Sequence, residues 1–484
     1  MNAIHVLQNR SLAKLTENLD DRHNLEILLN LVHIFSLAHP EESVRKQAGE
    51  EESRIFKLLQ KKSNSPILDL GEERVEFIKN LREDKITVEN KEITPQSDEA
   101  YQLLTQHSNE NVRRIIFEAM NYQSENNILL VERMAGKAQQ LANSIGETNW
   151  AEYQAKKHLH SSGVEGVEVM LQKYHQSLLT QYQQEYDMLK EEFGEDMMKI
   201  YNLPYLKKQY RSNHKNEASP SSNLKDFPEN LSLNDALSQI QKWLNQAFLV
   251  DMKWEMEKIF GIEMINVMLV EYYSDRKIVI EGGPKIYASI ILDSQPREGK
   301  YPRGLTTNIS RRRNYLPGYA YVNFPCSDPK NLSFSEFKTL CHEMGHAIHY
   351  GACLQNIEDK PGVTEIPSEV ISDRILQYTQ WVSNEKKGNT QHFAAHDAMS
   401  DLMFSEMSLS IYQNKKIDYY ALTQKYFPGY QMEQVKINYA NSTTQLLSKQ
   451  SQYYQYIVGD SLVPVWQKKS NQELWEAIQN NKWL

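Results

Sequence analysis

Residues 333–353 read SFSEFKTLCHEMGHAIHYGAC and contain the stretch on which the expected fold depends, His342-Glu343-Met344-Gly345-His346. Ser333 is a suitable helix N-cap and no proline interrupts the residues that follow, so the stretch is predicted to form one helix. Two histidines four residues apart place both rings on one face of such a helix. Because imidazole is a preferred ligand of zinc, the pattern predicts a site for one zinc ion.

Glu343 is predicted to be the general base of this site, because it can accept a proton from a water activated by zinc. The third ligand is expected from residues 361–369, where a Pro-Gly turn precedes a helix start. Glu365 fits this position, while Glu369 and Asp373 lie near the same face one and two turns later. Spacing alone leaves Glu365 and Glu369 both open, and Glu369 could instead orient a ligand histidine through a hydrogen bond.

Two further residues of the helix carry ligand atoms but are not predicted to hold the ion. Cys341 points about 100° away from its neighbour His342. His349 follows His342 by a rise of roughly 10 Å, which is too far for both rings to bind one ion. His349 is therefore expected to contact substrate or to support a ligand.

The composition excludes several classes of protein. The 484 residues include 54 Lys plus Arg against 63 Asp plus Glu, and the resulting formal charge of -9 has the wrong sign for a general nucleic-acid binder. Three cysteines are too few for a disulfide framework and are typical of a reducing compartment. Residues 1–15 show neither a signal peptide nor a membrane anchor, so a cytoplasmic location is expected, with non-classical export left open.

Arg311, Arg312 and Arg313 are expected to form a solvated loop or to reach an acidic ligand group.

Helical periodicity dominates the chain and predicts a mainly helical fold. The clearest segments are 25–37, 41–59, 110–145, 166–192 and 233–260. Two β-branched runs at 277–280 and 285–292 flank Gly-Gly-Pro and predict a hairpin, and 319–324 is a further strand candidate. The polar stretch 212–230 is predicted to be an exposed loop at a lobe boundary.

Four segments form a recognisable set in chain order: LDSQPREGKY at 292–301, TLCHEMGHAIH at 339–349, EIPS at 365–368 and QYYQY at 452–456. Together they resemble the thimet oligopeptidase family of zinc metallopeptidases, which includes neurolysin, oligopeptidase A and dipeptidyl carboxypeptidase. Weaker similarity at 39–52 and 110–143 extends the resemblance over most of the chain. It implies a zincin-like fold, with two helical lobes flanking a deep channel and a small β-sheet next to the metal-motif helix. We expect an N-terminal helical segment over 1–95 and the catalytic region over 96–484.

The resemblance also implies a role for each matching residue. The matching zinc ligands are His342, His346 and Glu365, the general base is Glu343, and the tyrosines that hydrogen-bond substrate and the developing oxyanion are Tyr453 and Tyr456. A neutral phenol is suited to that last role because it can donate to the oxyanion. Further substrate contacts are expected from Tyr454, Tyr319 and His349, and support of a ligand histidine from Glu369.

The chain departs from the family pattern at two places. Residues 443–449 read TTQLLSK where the family has a histidine and a Gly-Gly-Tyr segment, so the glycine-rich loop is missing and Lys449 stands near the position of a substrate-contacting tyrosine. The segment between His346 and Glu365 is also shorter by several residues. Both departures are expected to affect substrate preference and turnover rather than metal binding.

The sequence therefore predicts a zinc-dependent metalloendopeptidase of the oligopeptidase type, which hydrolyses short unstructured peptides. The strand at 319–324 is expected to pair with the extended peptide as an added strand. Two alternatives stay open: a zinc-binding peptide scaffold with little catalysis, and a carboxydipeptidase resembling angiotensin-converting enzyme. The expected partners are short peptides, without nucleic acid or membrane, and the chain is expected to be a monomer.

Overall fold

The computed structural model of the protein describes residues 22–39, 41–62, 66, 68–122, 125–158, 162–214, 227–228, 230–259, 262–271, 285–295, 297, 300, 304–310, 312, 317–354, 365–381, 393–432, 435–443, 446 and 449–483. The chain divides into two compact units. The first comprises Met1–Asp69, Lys225–Asn384 and Val458–Leu484, and the second comprises Leu70–Leu224 and Glu385–Ile457. Residues of the predicted N-terminal segment 1–95 therefore occur in both units.

Helices account for most of the described residues, which confirms the predicted mainly helical fold. In chain order they are α1 Arg22–Ala38, α2 Glu42–Lys62, α3 Gly71–Glu83, α4 Asp98–Gln106, α5 Glu110–Asn121, α6 Glu125–Ser144, α7 Trp150–His158, α8 Gly163–Phe193, α9 Leu203–Asn213, α10 Leu233–Phe248, α11 Phe334–Ala352, α12 Glu365–Thr379, α13 Ala394–Tyr412, α14 Tyr419–Tyr426, α15 Gln455–Trp466 and α16 Asn471–Asn480. Short 3₁₀ helices cover Glu195–Met197, Ile200–Asn202, Tyr439–Asn441 and Gln450–Gln452.

The strands form two sheets. Strands β1 Ile86–Val88 and β2 Lys91–Ile93 pair as an antiparallel ribbon in the second unit. The first unit has a five-stranded sheet, and its strands are β3 Val250–Ile259, β4 Ile262–Glu271, β5 Ile286–Asp293, β6 Leu305–Ser310 and β7 Gly318–Asn323. The order in this sheet is β3-β4-β5-β7-β6, in which β5 and β7 run parallel and the other neighbours are antiparallel.

The main core of the first unit lies between this sheet and helix α11. Ala320 and Val322 on β7 pack with Leu340, Cys341 and Met344 on α11, and all five side chains are fully buried. The predicted sheet beside the metal-motif helix is therefore confirmed. Cys341 belongs to this hydrophobic core, where burial raises the pKa of its thiol.

The other face of the sheet packs on helix α1. Leu31 of α1 lies in one buried cluster with Ile309 of β6 and Tyr321 of β7. Asn30 of α1 also donates a hydrogen bond to the carbonyl of Ile309 at 3.5 Å. The two faces of the sheet therefore contact different helices, which fixes the side of the sheet on which each residue of β6 and β7 lies.

Helix α11 begins at a capping box. Ser333 Oγ accepts from the backbone N–H of Glu336 at 3.2 Å, and the Glu336 carboxylate accepts from the backbone N–H of Ser333 at 2.8 Å. These bonds satisfy donors that a helix start leaves without intrahelical partners, and such a cap stabilises a helix by about 1 kcal/mol. The serine N-cap expected from the sequence is present.

The predicted helix over 233–260 is wrong in its second half. Helix α10 ends at Phe248, and Leu249 adopts a left-handed conformation with φ of 54° that ends the helix. Strand β3 follows at once, with Val250 and Met252 fully buried. The Lys and Glu residues of 253–258 favour a helix by composition, but pairing with β4 along the whole strand decides the structure. The predicted helix over 110–145 is likewise two helices, α5 and α6.

The predicted hairpin lies partly outside the described residues, because 272–284 are not described. Its second arm is β5, which pairs with β4 and β7, and the predicted strand at 319–324 corresponds to β7. Most of the predicted loop 212–230 also lies outside the described residues. Arg312 is expected in a solvated loop, but its side chain is buried, with 4% of the residue exposed. Its guanidinium lies 4.8 Å from the centre of the Tyr287 ring. Arg311 and Arg313 lie outside the described residues.

In the second unit, a glutamate of α8 caps helix α13. The carboxylate of Glu185 accepts the backbone N–H groups of Ala395 and His396, both at 3.0 Å. The His396 ring lies 2.8 Å from the same carboxylate and 3.0 Å from the Tyr430 hydroxyl. These side chains are buried, so each polar atom of the group has a protein partner in place of water.

None of the helices formed by the described residues is both long and apolar enough to cross a lipid bilayer.

Candidate metal centre

Helices α11 and α12 bring three potential metal ligands together. The ligand atoms of His342, His346 and Glu365 all lie within 4.8 Å of one another. Glu365 Oε2 is 3.5 Å from His342 Nε2 and 3.1 Å from His346 Nε2. Within the described ranges this is the one cluster of His, Cys, Asp or Glu side chains with metal-binding spacing.

These distances fit a tetrahedral zinc ion. Zinc binds imidazole nitrogen and carboxylate oxygen at about 2.0–2.2 Å, so two ligand atoms at the tetrahedral angle are about 3.4 Å apart. The observed separations of 3.1 and 3.5 Å lie on either side of that value. Two nitrogens and one oxygen leave the fourth position for water or substrate, which is typical of catalytic rather than structural zinc sites.

The close packing of α11 on α12 depends on Gly345. A Cβ atom at this position would lie 2.7 Å from Ser368 Cα, so any side chain would push the two helices apart. In the first turn of α12, Ser368 Oγ donates to the carbonyl of Glu365 at 2.7 Å. The absence of a side chain at Gly345 therefore allows Glu365 to reach both histidines.

Glu369 contacts the other nitrogen of the His342 ring. Its Oε1 lies 3.2 Å from His342 Nδ1, which leaves Nε2 directed at Glu365. Burial lowers the pKa of His342, but the hydrogen bonds to Glu365 and Glu369 outweigh burial and raise the pKa to about 10. Burial raises the pKa of Glu369, and its hydrogen bond to His342 lowers that pKa below its ordinary value. The structure thus places Glu369 outside the ligand cluster, where it can orient a ligand.

We expect Glu369→Ala to weaken zinc binding by about 10- to 100-fold, because His342 loses the carboxylate that fixes its ring. Competition with a chromogenic chelator measures the affinity. The matched control is Asp373→Ala one turn further along α12, where the carboxylate accepts from Gln467 at 2.9 Å. An equal loss of affinity in the control would contradict the orienting role of Glu369.

Glu343 lies against the start of strand β6. It is 7% exposed, and Thr306 Oγ1 is 2.7 Å from its Oε2 and 3.0 Å from its carbonyl oxygen. A Cβ atom on Gly304 would lie 2.6 Å from Glu343 Oε1. Neither Thr306 nor Gly304 is predicted from the sequence, because no local pattern links a strand residue to a helix residue 37 positions later.

A buried charge cluster anchors the chain that leads into β6. Asp293 accepts two hydrogen bonds from Arg297 at 2.7 and 2.6 Å and one from the Tyr321 hydroxyl at 2.6 Å. Lys300 Nζ lies 3.2 Å from the same carboxylate and donates to the Asp293 carbonyl at 2.8 Å. Burial raises the pKa of Asp293, but these partners lower it below its ordinary value. The cluster gives a structural role to Arg297 and Lys300 of the segment LDSQPREGKY. Residues 296, 298, 299 and 301 of this segment lie outside the described residues.

His349 lies on the buried side of α11, contrary to the expected substrate contact. Its side chain has no exposed surface, and Trp483 Nε1 donates to its Nε2 at 3.4 Å. Burial, together with the neighbouring His346, lowers the pKa of His349 to about 3. The ring is therefore neutral, and it packs against Trp483 on the buried side of the helix.

Tyr319 lies on the other face of the sheet from helix α11, and its expected substrate contact stays a prediction. Side chains alternate along β7, so Tyr319 shares a face with Tyr321, which packs towards α1, while Ala320 and Val322 face α11. Tyr319 is 37% exposed but lies on the side of the sheet away from the metal-motif helix. Strand β7 is paired with β5 and β6, so its backbone cannot accept a peptide as an added strand, contrary to the prediction.

The tyrosines predicted to contact substrate, Tyr453, Tyr454 and Tyr456, form the tyrosine cluster of the second unit. The Tyr453 hydroxyl is 3.4 Å from Asp401, and the rings of Tyr453 and Tyr456 are 5.0 Å apart. Lys449 Nζ lies 5.4 Å from the centre of the Tyr456 ring. Tyr454 is 1% exposed, burial raises its pKa, and its hydroxyl has no hydrogen-bond partner among the described residues. The expected contacts of these tyrosines with substrate stay predictions.

Residues 103–462 match the model of peptidase family M3, and this span contains the three candidate metal ligands, Glu343 and the tyrosine cluster. The chain is similar to an X-ray structure assigned to oligoendopeptidase F, with 11% identity and a TM-score of 0.52 over 98% of this chain and 81% of that chain. It is also similar to PZ peptidase A with inhibitor 2, with 14% identity and a TM-score of 0.53 over the same shares. At these identities the two structures bear on the fold alone. No curated protein matches the chain significantly.

Proposed function

Because this chain belongs to peptidase family M3, we propose that it is a zinc-dependent metalloendopeptidase that hydrolyses short unstructured peptides. The observation that supports this proposal is the convergence of His342, His346 and Glu365 next to the buried carboxylate of Glu343. Two imidazoles and one carboxylate are a ligand set suited to catalytic zinc, and a carboxylate on the same helix is suited to proton transfer.

The proposed reaction is the addition of water to the scissile peptide bond. When bound, zinc supplies Lewis-acid activation of the water and of the carbonyl. Glu343 accepts one proton from the water while the water oxygen bonds to the carbonyl carbon. Glu343 then gives that proton to the leaving nitrogen as the carbon–nitrogen bond breaks. The resemblance assigns Tyr453 and Tyr456 to hydrogen bonds with the substrate and the oxyanion, a role that a neutral hydroxyl can fill.

Hydrolysis of internally quenched fluorescent peptides by the purified protein tests the proposal. We expect cleavage that is lost when a chelator removes the metal and restored when zinc is added back. Peptide cleavage that persists in protein shown to be free of metal would rule out the zinc-dependent mechanism.

The cleavage mode is tested by mass spectrometry of the products from unlabelled peptides. Internal cuts are the expected result for a metalloendopeptidase. Stepwise release of dipeptides from the C-terminus would instead identify a carboxydipeptidase, and tight peptide binding without any cleavage would identify a peptide-binding scaffold.

A further inference from the structure

We propose that Thr306 is a positioning residue for Glu343: its hydroxyl holds one carboxylate oxygen of the general base, and Gly304 leaves space at the other. This inference rests on the proposed function, because it concerns how Glu343 is aimed during peptide hydrolysis. It follows from contacts between strand β6 and helix α11 inside the first unit.

The strand fixes the side on which Thr306 lies. Thr306 pairs with Val322 of β7, and Val322 is buried in the core that faces α11. Cross-strand partners share one face of a sheet, so the Thr306 side chain also faces α11. Its neighbour Thr307 pairs with Tyr321 and faces the opposite side, towards α1.

The hydroxyl of Thr306 has two acceptors on the same residue, Glu343 Oε2 at 2.7 Å and the Glu343 carbonyl at 3.0 Å. A hydroxyl carries one hydrogen, and a bond to an ionised carboxylate is stronger than a bond to a carbonyl. The bond to Oε2 is therefore preferred. It restricts the flexible glutamate side chain, whose rotamers would otherwise spread over the space beside the helix.

Gly304 leaves room for the other carboxylate oxygen of Glu343, Oε1, because it has no side chain. A Cβ atom there would lie 2.6 Å from Glu343 Oε1, closer than unbonded atoms approach, and would make a tight contact of 3.0 Å with Thr339 Cγ2. With glycine at this position, Oε1 keeps its place while Oε2 is bonded to Thr306. One oxygen is thus fixed, and the other is left to exchange a proton with water and the leaving amine.

Substitution of Thr306 by valine tests this arrangement, because valine keeps the shape and the strand preference but removes the hydroxyl. We expect kcat on an internally quenched peptide to fall about 10- to 100-fold with little change in KM, as a misplaced catalytic group affects the transition state more than substrate binding. Thr306→Ser should restore most of kcat, since it returns the hydroxyl. The matched control Thr307→Val makes the same change on the opposite face and should keep kcat.

Two measurements without turnover separate positioning from a structural defect. In the Glu343→Gln background, Thr306→Val should leave the Kd of the same peptide unchanged, and in the wild-type background it should leave the zinc affinity unchanged. Full kcat in Thr306→Val, or loss of zinc or peptide affinity together with kcat, would overturn the inference while the proposed function stands. A wild-type protein without chelator-sensitive peptidase activity would overturn both.

Discussion

Glu343→Gln is expected to keep its zinc and to lose about 100- to 10,000-fold in kcat/KM for peptide hydrolysis, the range that general acid–base catalysis supplies. Glutamine has nearly the same size and can still accept the Thr306 hydrogen bond, but its amide cannot take a proton from water. Zinc content per protein chain and cleavage of internally quenched peptides are the two quantities to measure.

Glu336→Gln on the same helix is the control for this substitution. Glu336 belongs to the capping box at the start of α11, where glutamine keeps one oxygen to accept from the Ser333 N–H and loses only the bond from the Ser327 N–H. We expect this variant to retain both zinc and activity. If Glu343→Gln cleaved peptides at the rate of the wild-type protein, Glu343 would not be the general base.

Glu365→Ala is expected to lose the metal itself. The carboxylate of Glu365 lies 3.5 Å from His342 Nε2 and 3.1 Å from His346 Nε2, so its removal would leave only two of the three candidate ligands. The loss of zinc affinity should be larger than the loss of about 10- to 100-fold that is typical when a residue that only orients a ligand is replaced. Metal analysis after dialysis and chelator competition measure this loss, and peptidase activity should disappear with it.

Comparison with Glu369→Ala separates the two carboxylates of α12. Spacing in the sequence left both open as the third ligand, whereas the structure places only Glu365 in the cluster of ligand atoms. The expected order of zinc affinity is therefore wild type, then Glu369→Ala, then Glu365→Ala. The reverse order for the two variants would assign the ligand role to Glu369.

The metal-motif helix could be predicted from the sequence because its determinants are local. The capping box and the four-residue spacing of His342 and His346 depend only on neighbours within the same helix. The resemblance to a family then supplied Glu365, whose approach depends on contact between two helices. These parts of the site need few long-range contacts to be recognised.

Other parts depend on contacts that no local pattern records. Strand β3 has a charged, helix-favouring composition, but its pairing with β4 decides its conformation. His349 has the spacing of a residue near the site, yet the indole of Trp483 covers it. Thr306 is one of three threonines on the described strands, and only the placement of β6 against Glu343 distinguishes it from Thr87 and Thr307.

The contact of Gly345 with Ser368 has a consequence for the choice of ion. Copper(II) generally binds nitrogen and oxygen ligands more tightly than zinc, but it prefers a tetragonal arrangement. Calcium takes about six to eight oxygen ligands at longer distances, which two imidazoles cannot supply. Because backbone contact at Gly345 holds α11 and α12 at a short separation, the ligands have little freedom to rearrange for either ion. A residue that offers no ligand atom is thereby expected to help set metal selectivity.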